Sequence, residues 1–69
     1  MEVHVVVFRT HEAGMDPYEI KGIFETRQMA LEYLKKEYPS FVKQSNFLTD
    51  MWVDETQELI WFEIKSFET

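Results

Sequence analysis

An α+β domain is what this chain predicts: a ββαββ order, with a four-stranded, mainly antiparallel sheet and one helix packed on one face. Three observations carry that expectation. Runs of valine and of alternating apolar residues lie toward both ends of the chain, the period-two signature of strands. Between them, from Thr26 to Tyr38, apolar residues recur at helical spacing. At 69 residues with 45% hydrophobic content, the chain has material for one core and therefore one compact domain, residues 1–69.

The first strand reads from Glu2 to Arg9. Val3, Val5 and Val7 face one way and Val6, Phe8 and His4 the other, so both faces are apolar and the strand belongs inside the sheet rather than at an edge. Residues Thr10 to Pro17, with Gly14 and Asp16-Pro17, read as a loop. Tyr18 to Phe24 is the second strand, with Tyr18, Ile20, Gly22 and Phe24 alternating against Glu19 and Lys21. The Thr26 hydroxyl can accept from a free amide of the first helical turn. Ala30, Leu31, Leu34 and Tyr38 then share one helix face, with Tyr33 at its margin, while Gln28, Glu32, Lys35 and Lys36 form the other. Pro39 disfavours helical geometry at Tyr38 and ends the helix there or just before.

Ser40 to Asn46 reads as a connection, with room for one helical turn around Phe41 and Val42. A third strand runs from Phe47 or Leu48 to Asp54, and a fourth from Glu58 to Phe67, joined by an Asp54-Glu55-Thr56-Gln57 turn. If Met51 lies opposite Ile60, then Met51, Val53, Ile60, Phe62 and Ile64 lie under the helix. Trp52, Leu59, Trp61 and Phe67 then point to the uncovered face. Two tryptophans in water need cover, either from loops 10–17 and 40–46 or from a second molecule. The expectation is a homodimer with Trp52, Leu59 or Trp61 at its interface.

Composition narrows the chemistry. There is no cysteine, so neither a disulfide nor a thiol nucleophile, and no cofactor is expected. Ser40, Ser45 and Ser66 lack the sequence surroundings of an activated hydroxyl. His11, Glu12 and Asp16 have no recognised ligand spacing, so no metal is expected, and His4 reads as a strand residue. Two glycines cannot build a phosphate-cradling loop. No catalytic residue is assigned, and the chain reads as non-enzymatic. No signal-type segment opens it and no apolar run approaches about 18 residues. The expectation is a soluble cytoplasmic protein that does not engage a membrane.

Charge is unevenly placed. Residues 47–69 carry six acids against Lys65, residues 1–25 carry five acids against Arg9 and Lys21, and residues 26–46 are net basic. Aromatics on a sheet can stack bases, but single-strand binders surround such rings with Lys and Arg. Here the same strands carry acids, which disfavours direct nucleic-acid binding. Side chains at i and i+2 of a strand lie about 6.6–6.8 Å apart on one face, comparable with the spacing of phosphates along a DNA strand. Asp50, Asp54, Glu55, Glu58 and Glu63 could therefore present a row of negative charge to a basic groove. The alternative use of the same acids is to keep an edge hairpin soluble and unpaired.

The run Gly22-Ile23-Phe24-Glu25-Thr26, followed by Ala30 and Tyr33 in an amphipathic helix, resembles a module of small phage-encoded proteins over residues 3–38. In size, charge and architecture the chain is also similar to small acidic host-takeover factors that mimic DNA, one of which blocks the bacterial histone-like protein HU. That resemblance implies an inhibitor in the host cytoplasm that occupies the DNA-binding surface of a basic host protein. The rival expectation is an adaptor that binds a partner through the Trp52/Trp61 sheet face, with no DNA mimicry.

Overall fold

The computed structural model describes residues 1–11, 14, 18–45 and 50–69, and of Ser45 its backbone. The helix forms where the sequence places it. α1 spans Arg27–Glu37, Thr26 Oγ1 accepts from the Met29 amide at 3.1 Å, and Tyr38 leaves helical geometry one residue before Pro39. Lys35 and Lys36 in its last turn complement the negative end of the helix dipole. Arg27 at the opposite end is unfavourable by the same argument, and a 3.1 Å ion pair with Asp50 offsets it.

Among the described residues the sheet has five strands rather than four: β1 (Glu2–Thr10), β2 (Tyr18–Phe24), β3 (Val42–Ser45), β4 (Asp50–Val53) and β5 (Ile60–Glu68). Every paired neighbour is antiparallel, in the order β2-β1-β5-β4-β3. The extra strand, β3, occupies what reads in sequence as a connection. It is a short edge strand, exposed where its side chains are described, and so lacks an apolar alternation. The expected start of the next strand at Phe47 or Leu48 lies outside the described residues, as do Glu12 and Asp16 of the 10–17 loop.

Two departures in register decide which side chains are buried. Met51 pairs with Glu63 rather than with Ile60, and Trp52 pairs with Phe62. The shift is an odd number of residues, so every β4 side chain changes face. Trp52 turns under the helix, and Met51 and Val53 turn to the open face. The cause is the connection. The Asp54–Gln57 turn forms, with the Gln57 amide on the Asp54 carbonyl at 2.9 Å. A second turn then follows, with the Ile60 amide on the Gln57 carbonyl at 3.3 Å, so β5 begins at Ile60 and not at Glu58.

The second departure is a bulge in β2. Val6 pairs with Gly22 but Val7 with Ile20, leaving Lys21 as the extra residue. Gly22 and Phe24 therefore face the helix while Tyr18 and Ile20 join Ile23 on the open face, instead of all four alternating on one side. The Phe24 ring folds back over Gly22, where an added Cβ would meet ring carbons at 2.7 and 2.9 Å.

The core lies between α1 and the sheet: Val6, Ala30, Leu34, Trp52 and Phe62, ringed by Phe8, Phe24, Leu31, Tyr33, Tyr38, Phe41 and Ile64. Phe62 is its centre, with Tyr38 at 4.3 Å, Phe41 at 5.0 Å and Phe8 at 5.6 Å between ring centroids. Its aromatic neighbours include edge-to-face pairs, the arrangement that rings prefer. No helix among the described residues is long and apolar enough to cross a membrane.

Candidate functional site

The open face of the sheet divides into three parts. At its middle, Glu63 is buried beside Val7, its register partner on β1. The Glu63 carboxylate accepts from Trp61 Nε1 at 2.9 Å and meets Arg9 Nη1 at 3.6 Å and Lys65 Nζ at 3.7 Å. The Arg9 guanidinium lies 5.6 Å from the Tyr18 ring centroid and 5.8 Å from that of Trp61. His11 packs on Trp61 at 4.7 Å. These contacts fix the Trp61 ring, which is half-buried. Arg9 Nε is buried without a hydrogen-bond acceptor among the described residues.

Beside Trp61, at the end of the sheet where β4 leads into β5, lies a groove of about 550 Å³. Met51, Val53, Ile60 and Trp61 supply its apolar surface, and Asp54, Glu55 and Glu58 its acidic wall, with Gln44 and Gln57. Among the described residues, three acids and no base line it. Glu55 and Glu58 are exposed. Asp54 is used to lock the turn: it accepts from Ser40 Oγ at 2.7 Å, from the Thr56 amide at 2.9 Å and from Thr56 Oγ1 at 2.7 Å. Donation by Ser40 first, then by Thr56, holds its carboxyl below the ordinary carboxylate range.

Of the five acids expected to form one row, the structure brings together Asp54, Glu55 and Glu58. Asp50 is on the helix side, clamped by Arg27 at 3.1 Å and Lys43 at 3.6 Å. Glu63 is on the opposite side and buried under bases. A single five-carboxylate row is therefore overturned, because a strand alternates its faces and these two acids fall on different ones.

The expected uncovered face of Trp52, Leu59, Trp61 and Phe67 is also corrected. Trp52 is 6% exposed, in the core under the helix and not on the uncovered face. Trp61 and Phe67 do face the open side, and Leu59 is exposed in the turn before β5. Leu59 and Phe67 stand at opposite ends of β5, roughly 25 Å apart along the strand. Arg9, Met51 and Val53 were missed as parts of this face. Arg9 alternates with Val5 and Val7 and could have been placed there, whereas Met51 and Val53 depend on the register.

No protein-family model, no curated protein and no solved structure matches the chain.

The third part of the open face is the β2 side, where Tyr18, Ile20 and Ile23 are exposed. Elsewhere, His4 is buried on the helix side between strand neighbours. Its Nδ1 is 2.8 Å from Ser66 Oγ and its Nε2 3.2 Å from Glu2 Oε1. No group of three or more His, Asp or Glu able to hold a metal ion is found among the described residues.

Proposed function

We propose that this chain is a non-enzymatic binding module that takes a basic, apolar-anchored segment of a partner protein into the groove beside Trp61. The observation that carries the reading is the lining of that groove, an apolar floor under three acids and, among the described residues, no base. Seating one leucine- or phenylalanine-sized side chain on Met51, Val53 and Trp61 contributes about 1.5–3 kcal/mol. Glu55 and Glu58, exposed at the rim, steer and orient a Lys- or Arg-bearing segment more than they hold it. The same sign repels nucleic acid. The test is a titration, followed by amide and indole NMR shifts, with a short peptide alternating leucine and lysine. Shifts centred on Met51, Val53 and the Trp61 indole, lost in Met51→Lys, support the reading. Shifts spread over the helix bases, or equal binding of a leucine–glutamate peptide, exclude it.

A narrower form of this reading is that the partner is a basic DNA-binding protein of a host, whose DNA-binding surface the chain occupies. The cluster of Asp54, Glu55 and Glu58 at one end of the sheet supports it, together with the formal charge of −6. The charge available for mimicry is then that three-acid cluster, not a row along both strands.

A further inference from the structure

We infer that the stripe of Tyr18, Ile20 and Ile23 on β2 seats a second copy of this chain. The stripe is a product of the bulge at Lys21. Without the extra residue, Tyr18 and Ile20 would share the helix side with Gly22 and Phe24; with it, they join Ile23 on the open face. There they are 44%, 53% and 63% exposed, on a strand whose outer side pairs with no other strand among the described residues. Three large apolar side chains gathered at a sheet margin form a contact surface, not scattered surface apolarity.

Charge singles out this stripe as a place where two copies can meet. The chain carries thirteen acids against seven Lys and Arg, so two copies repel one another over most of their surface. The middle of the open sheet face and its β2 side, away from the acidic groove, are the exception. Among the described residues their strands carry Arg9 and Lys65 against Glu63, and that acid is buried and already paired with both bases. On β2 itself Glu19 and Lys21 pair with each other at 3.2 Å, and the Lys21 ammonium lies 5.4 Å from the Phe8 ring centroid. The stripe is therefore, among the described residues, an apolar surface on which a copy of the same acidic chain meets no net negative charge. A two-fold axis through it sets the stripe against itself, as a self-complementary dimer requires. The bulge twists the edge and opposes backbone pairing between strands, so the contact is made through side chains and closes at two copies. The groove beside Trp61 begins at β5, two strands away in the order, and shares no residue with the stripe.

The test is sedimentation equilibrium on the full chain and two double variants, Ile20→Lys with Ile23→Lys, and Ile20→Glu with Ile23→Glu. Wild-type mass is expected to rise with concentration from 8.4 kDa toward twice that value. Each double variant should associate about tenfold or more weakly, with its circular dichroism unchanged. An equimolar mixture of the two should recover the dimer, more strongly at low salt, because the axis sets lysine against glutamate whatever the exact register. If a charged variant unfolds, Ile23→Ser at the most exposed position of the three gives the same reading. A wild-type chain that stays monomeric at all concentrations overturns the inference. So does a dimer as strong in both folded double variants, or a mixture that fails to reassociate. Because the stripe and the groove share no residue, each of these outcomes leaves the groove reading untouched.

Discussion

Trp52 lies directly opposite Phe62 across the β4–β5 ladder, and both face the helix. That pair marks the parity of the two strands and thereby the face of every other side chain on them. Trp61, one residue from Phe62, is turned to the opposite face and half-buried. The two tryptophans thus do different work. Trp52→Ala is expected to cost about 3–5 kcal/mol, by loss of buried surface and by the cavity left behind. Trp61→Ala is expected to cost nearer about 1 kcal/mol. Urea unfolding of the two variants checks this, and equal losses would contradict the register.

The sequence made the helix legible because its signals are local: Thr26 as cap, apolar residues at three- and four-residue intervals, and Pro39 as stop. β1 was legible as an interior strand for the same reason. β3 was not, since Val42–Ser45 carries one apolar residue in four. The parity of β4 against β5 was hidden in the length of the connection after Val53, where one added turn reverses a whole strand. The site was partly readable. Glu55 and Glu58 follow from sequence, since exposed turn acids stay where they are written. Asp50 and Glu63 did not, because the bases that neutralise Asp50 are Arg27 and Lys43, and a principal partner of Glu63 is Arg9, 54 positions away in the chain.

The Asp54 lock gives the fold an acid limb. Hydrogen bonds from Ser40 and Thr56 favour the ionised carboxyl in the folded chain and lower its pKa. The stabilisation is therefore complete above the ordinary carboxylate range and is lost as pH falls through the lowered folded value. In Asp54→Asn this part of the pH dependence should disappear, and stability at neutral pH should fall toward the wild-type value in acid. Urea midpoints measured from about pH 5 down to about pH 2 check both statements. Ser40→Ala should remove part of the same effect.

Glu63 holds the Trp61 ring and shields Val7. Glu63→Ala leaves the Trp61 indole N–H without its acceptor and removes the Arg9 and Lys65 counter-charge, at an expected cost of about 1–3 kcal/mol. Glu63→Gln keeps an acceptor for the indole and should cost less. The indole proton resonance distinguishes the cases: it should stay near its wild-type position in the glutamine variant and shift in the alanine variant. Identical shifts in both would show that the 2.9 Å contact does not order the ring.

Competition with DNA separates the two forms of the binding proposal. If the chain occupies the DNA-binding surface of a basic protein, duplex DNA should displace it from that protein, and the chain should displace DNA. Asp54, Glu55 and Glu58 would then carry the charge, and salt should weaken the complex steeply, because exposed charges are screened beyond about 8–10 Å at physiological ionic strength. Glu55→Gln with Glu58→Gln should lower the association rate by about tenfold while changing dissociation little, as expected when rim charges steer an encounter. Neutralising Glu32 and Glu37 on the helix should change neither rate. Asp50→Asn should act through stability alone, since Asp50 is held by Arg27 and Lys43 on the face away from the groove. A ternary complex with DNA that forms readily would remove the mimicry. If Met51→Lys still abolished binding in that case, the apolar floor would remain as the contact and the partner would be recognised as a protein surface in its own right.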